Sequence, residues 1–297
     1  MDRKVLVVDD NKFSTKLLAD ILTDEGFIVF TADNGLAVQE MAHELKPDVI
    51  LLDIMMPGMN GFEVCSLLKD TPDVKDIPVI MVSARTDGND LKFALENGAF
   101  DYIKKPVDEL ELVARVQSAI RFKDQQDQWM ECATKDGLTG IFNHSLLMEL
   151  FEKELSRQRR NGGKIAFAML DVDYFKLIND SYGHMAGDRI LKEFSGILKQ
   201  SVRQGDIIGR YGGEEFGVVI SNLDRNGVLT LCERIRKKVE DSRFDVGSDS
   251  IGITASMGVF LLNANAGVTA ADMVKQADDA LYRAKDKGRN RVELCEG

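Results

Sequence analysis

Cysteine, long apolar runs and clustered basic charge are what this chain of 297 residues has least of. Its four cysteines, Cys65, Cys132, Cys232 and Cys295, stand far apart with no Cys-x-x-Cys spacing. That argues against a disulfide framework or a thiolate metal site, and for buried thiols in a reducing compartment. No uninterrupted apolar run approaches the roughly 18 residues of a membrane span, although 44% of the chain is hydrophobic. The apolar run after Met1-Asp2-Arg3-Lys4 turns acidic at Asp9, too soon for a signal peptide, so a cytoplasmic protein with no membrane partner is expected. With a net charge of −11 and no basic run or recognition-helix pattern, no nucleic-acid partner is expected either. The charge is uneven: residues 1–121 carry 13 basic and 22 acidic side chains, which leaves the remainder nearly balanced.

The length fits two domains of about 100 to 200 residues each. In the first half, residues 5–8, 48–53, 78–83 and 101–104, with a shorter 27–31, read as strands alternating with helical patterns, which predicts a parallel sheet. The unbroken run Val49-Ile50-Leu51-Leu52 suits a strand covered by helices on both faces, so a doubly wound α/β domain is expected. Helix caps are placed at Asn11 or Asp10 and at Asn34, with stops at Gly26 and Gly98. Polar residues break the pattern at the carboxyl ends of the strands: Asp9 and Asp10, Asp53, Ser83 and Lys105. In a parallel sheet those ends share the edge at which open α/β sheets bind ligands. Any one of these acids could serve only as a helix cap. Three carboxylates together repel unless a cation lies among them, and Mg2+, which takes hard oxygen ligands, fits such a set.

In order and spacing, this stretch resembles the receiver domain of bacterial response regulators. The resemblance implies a (βα)5 fold over residues 1–121 with Asp53 as phosphoacceptor. It implies Mg2+ held by Asp10, Asp53 and the Met55 carbonyl, with Asp9 completing the acidic pair. Ser83 and Tyr102 become the switch pair, and Lys105-Pro106 matches a lysine followed by a cis-peptide proline. A phosphate on Asp53 adds charge and acceptor oxygens, which would recruit the Ser83 hydroxyl and Lys105. A cognate histidine kinase or phosphotransfer protein is the implied partner.

Residues 107–135 contain no proline or glycine and read as one connecting helix, with Leu110, Leu112, Val113, Val116, Ala119 and Ile120 as its apolar stripe. A heptad through Val113, Val116, Ile120, Lys123, Asp127 and Met130 places two charges at core positions. The helix is therefore expected either to pair across a dimer or to act as an exposed spacer.

In the second half, residues 164–170 read as a strand that Asp171-Val172-Asp173 ends with acids, and Asn143 is placed to cap a helix starting near His144. Arg210-Tyr211-Gly212-Gly213-Glu214-Glu215-Phe216 lies between β-prone runs and reads as a hairpin with two acids at its turn, which in isolation would be an exposed turn. Helices are expected near 229–239 and at the end, with a strand at 253–260. The set as a whole is more specific. Asp136-x-Leu-Thr-Gly, Asp171-x-Asp-x-Phe-Lys176-x-x-Asn179-Asp, Gly183-His184-x-x-Gly187-Asp188, the Gly-Gly-Glu-Glu-Phe hairpin and Lys285-x-x-x-Arg289 together make residues 136–297 resemble the GGDEF domain of diguanylate cyclases. One departure is His144, which stands where that family commonly has arginine.

That resemblance implies an α+β, palm-like domain, described as an antiparallel sheet with helices on one side. It implies Asp171, the Val172 carbonyl, Glu214 and Glu215 around one or two Mg2+ ions, which clamp an in-line phosphoryl displacement between two GTP molecules. Glu214 is the candidate to assist deprotonation and Glu215 a ligand, roles that could be exchanged. Lys176, the Tyr174 and Phe175 amides, and Lys285 with Arg289 at i, i+4 on one helix face are expected to neutralise the triphosphate. Asn179 and Asp188, with His184 nearby, are the implied guanine readers, although both could be helix caps. An aspartate accepts from N1 and N2 of guanine, a donor pair adenine lacks. Arg203 and Asp206, with Arg234 from another face, form the implied inhibitory site for the product, cyclic di-GMP, or else a local salt bridge. Two GTP molecules must meet in opposition, so a homodimer or a tetramer is expected, with phosphorylation controlling it. The alternative function is an inactive GGDEF domain that reads cyclic di-GMP and acts through a protein partner.

Overall fold

A computed structural model describes residues 3–84, 88–247, 249–263 and 267–297. The chain divides into two compact units, Met1–Trp129 and Met130–Gly297.

The first unit alternates strand and helix: β1 (Lys4–Val8), α1 (Lys12–Asp24), β2 (Ile28–Ala32), α2 (Val38–Leu45), β3 (Val49–Asp53), α3 (Gly61–Asp70), β4 (Val79–Ser83), α4 (Gly88–Glu96), β5 (Asp101–Lys104) and α5 (Glu109–Thr134). All five strands are parallel, in the order β2-β1-β3-β4-β5. Every side chain of β3 and β4 is buried because both faces of the sheet are covered. Leu6, Ile50, Leu52 and Met81 pack with Val38, Val64, Leu68 and Ala94 of α2, α3 and α4. Val5, Val7, Leu51 and Ile80 pack with Leu18 and Leu22 of α1 and with Leu112, Val116 and Ile120 of α5. Asn11, not Asp10, caps α1, accepting from the Phe13 and Ser14 amides.

Two expectations for α5 change. Leu110 is exposed rather than part of the buried stripe. Val116 and Ile120, given heptad core positions above, are buried in the receiver's own core, so that part of the heptad is occupied within one chain.

The second unit comprises α6 (His144–Asn161), β6 (Lys164–Val172), α7 (Phe175–Tyr182), α8 (His184–Ser201), β7 (Ile207–Gly212), β8 (Glu215–Ser221), α9 (Arg225–Asp241), the short β9 (Phe244–Asp245) and β10 (Ser250–Ile251), β11 (Ala255–Asn263), α10 (Ala270–Asp286) and β12 (Val292–Glu296). The main sheet runs β12-β11-β6-β8-β7. Its contacts are antiparallel except β11 with β12, which is parallel. The expected single-sided layer is also corrected, because helices cover both faces. Ala168, Leu170, Phe216 and Val218 face Phe194 of α8 and Ile235 of α9. Phe167, Met169 and Val219 face Phe151 of α6 and Ala277 of α10. The apolar run Ile165–Leu170 explains this: a strand with no polar position must be buried on both sides.

Candidate active site and phosphoacceptor pocket

At the carboxyl edge of the first sheet, Asp9 and Asp53 are nearly fully buried and Asp10 is exposed. One carboxylate oxygen from each lies within 4.8 Å of the others, and among the described residues this is the group of acids drawn together so closely. Lys105 Nζ is 2.7 Å from both Asp9 Oδ2 and Asp53 Oδ1. The Met55 amide donates to Asp53 Oδ2 at 2.9 Å, and the Ser14 hydroxyl donates to Asp9 Oδ2 at 2.6 Å. Burial pushes the Asp53 carboxyl above its usual range, partly opposed by Lys105. Burial alone would lower Lys105, but its bonds to Asp53 and Asp9 leave it raised. Ser83 is fully buried at the end of β4, Tyr102 lies on β5, and the Lys105–Pro106 bond is cis. The donor set of hard carboxylate oxygens fits Mg2+. Ser14 escaped sequence reasoning because a serine inside α1 carries no spacing signal.

In the second unit the site grows from strand register. Asp171 of β6 lies directly opposite Glu215 of β8, on the sheet face where Phe167, Met169 and Val219 meet α10. Only Glu214 is in the turn; Glu215 is already a strand residue, which corrects the reading of two acids at the tip. Gly213 holds the turn at φ +50, in the region that favours glycine. The Glu214 carbonyl accepts from the Val172 amide at 3.4 Å, joining the turn to the end of β6. Lys285 Nζ of α10 is 2.7 Å from Asp171 Oδ2. Burial raises the pKa of Asp171, with Glu214 and Asp173 adding and Lys285 opposing. Burial, then Asp171, raises Glu215. A buried carboxylate facing a half-buried one of like charge, both resisting ionisation, fits a site completed by a divalent cation.

The turn is also tied to the start of the domain. Arg210 donates to the Gly213 carbonyl from Nε at 2.9 Å and Nη2 at 2.7 Å, and from Nη1 to both Asp136 oxygens at 3.1 Å. Asp136 accepts further from the Thr139 amide and hydroxyl. Both partners belong to the motifs quoted above, yet nothing in their spacing says that they touch. Asn143 caps α6 as expected, and His144 packs edge-on against Tyr211, with ring centroids 4.7 Å apart.

Beyond Asp173 the chain enters α7 through Tyr174 at φ +59, with no side chain capping the helix. Phe175 is buried in the core, so it can offer only its backbone to a ligand, while Lys176 is exposed. Asn179 Oδ1 is buried with no hydrogen-bond partner among the described residues. It sits against Gly187 of α8, where a Cβ would come within 2.0 Å of it. His184 and Asp188, one helical turn apart on α8, are exposed.

The structure separates one expected pair. α10 ends at Asp286, and Arg289 lies beyond it at φ +61, so Lys285 and Arg289 do not share a helix face. Gly288, at φ +108, has already broken the helix. Arg289 places its guanidinium 4.7 Å from the Tyr174 ring centroid.

On the other side of the unit, Arg203, Asp206 and Arg234 line one cavity of about 250 Å3 with Thr230 and Leu231, so Arg234 joins the pair rather than standing on another face. Arg203 Nε is 3.2 Å from Asp206 Oδ1, so the local salt bridge is present too, and Arg203 Nη2 donates to the Ser221 carbonyl.

Comparison with known proteins adds the following. The family described as diguanylate cyclase, GGDEF domain, matches residues 133–291, and the response regulator receiver domain matches residues 5–117. Response regulator PleD of Caulobacter vibrioides is 27% identical over an aligned length of 450 residues, covering 98% of this chain and 99% of that one. Diguanylate cyclase A of Treponema denticola is 32% identical over 84% of this chain and 69% of its own length. Among solved structures, the coiled coil and GGDEF domain of DgcB from Caulobacter crescentus, in complex with c-di-GMP, is similar. It has a TM-score of 0.57 and 28% identity, over 63% of this chain and 98% of that chain.

Proposed function

The chain belongs to the GGDEF family of diguanylate cyclases and carries a receiver domain before it, and from that premise we propose that phosphorylation of Asp53 controls how two cyclase domains meet, each holding one GTP. The observation that carries the catalytic part is the cross-strand pair Asp171 and Glu215 beside the uncapped start of α7.

The 3′-hydroxyl oxygen of one GTP attacks the α-phosphorus of the other. The bond from that phosphorus to the bridging oxygen breaks, and pyrophosphate leaves with the electron pair. The same step in the opposite sense closes cyclic di-GMP. Glu214 takes the hydroxyl proton, while Asp171, Glu215 and the Val172 carbonyl are the ligand set for Mg2+. When bound, the ion supplies positive charge at the attacking and leaving oxygens. The backbone amides of Tyr174, which precedes α7, and Phe175, which opens it, with Lys176, Lys285 and Arg289, neutralise the triphosphate. Asp188 accepts from the guanine N1 and N2 hydrogens, and the unpartnered Asn179 oxygen is a second acceptor suited to that base, with His184 one turn from Asp188.

In the receiver, Asp9, Asp10, Asp53 and the Met55 carbonyl suit Mg2+, Asp53 accepts the phosphoryl group from a histidine kinase or phosphotransfer protein, and Lys105 and the Ser83 hydroxyl bind its oxygens. Tyr102 reports the change on the β5 side. Each cyclase domain carries half of the reaction, so a two-fold dimer is the smallest competent unit. The Arg203, Asp206 and Arg234 cavity is assigned to the product as a feedback site.

The test is incubation of the purified chain with GTP and Mg2+, with and without beryllofluoride, reading cyclic di-GMP by mass. No dinucleotide under either condition sinks the cyclase reading. Glu214→Ala should lower turnover by about 100-fold or more, the scale of a lost general base. Retained activity in that variant would move the proton-accepting role to Glu215 or elsewhere.

A further inference from the structure

The second acid of the Asp171-x-Asp173 motif stands two residues from a metal-site carboxylate, yet the structure puts it to different use. Asp173 is 3% exposed, and both its oxygens have donors. Thr254 Oγ1 donates to Oδ2 and Ser256 Oγ to Oδ1, each at 2.7 Å. The Asn290 backbone amide donates to Oδ2 at 3.1 Å. Asn290 belongs to a run of three left-handed residues, Gly288, Arg289 and Asn290, at φ +108, +61 and +47. Such a run is costly for side-chain-bearing residues and persists only where its surroundings hold it. Here the Asn290 amide is bound to Asp173, and its side chain is fixed between Arg236 Nη1 at 2.8 Å and Glu240 Oε1 at 2.6 Å. The residue displayed by this turn is Arg289, whose guanidinium rests on Tyr174, the residue that follows Asp173 and precedes α7.

We propose that Asp173 and Tyr174 are positioning residues for Arg289: Asp173 clamps the turn through the Asn290 amide, and the Tyr174 ring seats the guanidinium beside the first amides of α7. The inference rests on the reading of that helix start as the triphosphate site and deepens it. Asp173 then acts as a hydrogen-bond acceptor, not as a metal ligand. Its partners predict that an asparagine would serve in its place. An amide oxygen in the place of Oδ2 keeps Thr254 and Asn290, and the amide nitrogen can donate to Ser256 once that hydroxyl rotates.

The experiment measures binding of 3′-deoxy-GTP, which lacks the attacking hydroxyl, together with cyclic di-GMP turnover at saturating GTP. Asp173→Asn is expected to bind within about threefold of wild type, and Asp173→Ala about tenfold more weakly, the scale of a lost charge-assisted hydrogen bond. Asp173→Ala combined with Arg289→Ala should bind no more weakly than Arg289→Ala alone. Tyr174 is exposed, so its substitution tests the same seat without risk to the fold. Tyr174→Ala should weaken binding about three- to fivefold and Tyr174→Phe should restore it, as a cation–π contact requires. Losses in Asp173→Asn equal to those in Asp173→Ala would overturn the clamp in favour of a charge or metal role. Losses from Asp173→Ala and Arg289→Ala that multiply would overturn the action through Arg289, as would a Tyr174→Ala chain that binds normally. A wild-type chain that makes no cyclic di-GMP removes the cyclase reading itself, an outcome separate from these.

Discussion

Asp136 shows how much one carboxylate at the entrance of the cyclase unit can organise. It caps the turn through Thr139 and holds Arg210, which in turn holds the Gly213 carbonyl. Burial would raise its pKa, but the Thr139 and Arg210 bonds outweigh it and leave the group below its usual range. A depressed carboxylate pKa stabilises the fold above the unfolded value and loses that contribution as pH falls through the folded one. Asp136→Asn should therefore cost about 1 kcal/mol at pH 7, discounted for partial exposure. In denaturant melts the gap to wild type should close below about pH 4. A gap that does not change with pH would mean that the charge contributes nothing. At this scale the sequence was legible in position, since Asp53 and Asp171 stand at the ends of β3 and β6 as read. It was silent on partners. The Asp171-x-Asp173 spacing cannot tell a ligand from a clamp, and Lys285-x-x-x-Arg289 read as one helix face because nothing in the spacing reveals consecutive left-handed residues after Gly288.

Among elements, α10 and β11 meet at a point with no space for a side chain. A Cβ on Gly258 would lie 2.0 Å from the Leu281 nitrogen and 2.1 Å from the Ala277 carbonyl oxygen, both backbone atoms that cannot rotate away. Gly258→Ala should displace α10, the helix that brings Lys285 to Asp171. A stability loss of about 1–3 kcal/mol is expected in thermal melts, with a fall in cyclase turnover. An unchanged melting temperature would show that the helix moves at no cost. Parallel β1 to β5 were readable because strands alternate with helical patterns, and a central strand such as β3 because an unbroken apolar run needs cover on both faces. The same rule applied to Ile165–Leu170 would have predicted the second helical layer of the cyclase sheet, where family resemblance had suggested one. The parallel β12 was not read, since Val292–Glu296 is only five residues long, carries two glutamates and breaks the alternation at Leu294-Cys295.

For the whole molecule, α5 is one unbroken helix over Glu109–Thr134, and Leu112, Val116, Ala119 and Ile120 of its apolar stripe are occupied by the receiver core. A signal carried by helix rotation predicts a phase effect. At about 100° per residue, two residues inserted near 125–128 turn the downstream part by about 200°, whereas seven return it to within about 20°. The seven-residue insertion should retain the response to a phosphoryl mimic and the two-residue insertion should change it several-fold, as read by cyclic di-GMP formation. Equal behaviour of both would indicate a flexible tether. The division into two units follows from length and from the two motif sets; the coupling between them is not written in either. The measurement that bears most directly on that coupling is cyclic di-GMP production by wild type and Asp53→Asn in GTP and Mg2+, each with and without beryllofluoride. The account predicts a rise on adding the mimic in wild type and none in Asp53→Asn; an equal rise in both, or no response in wild type, would contradict it.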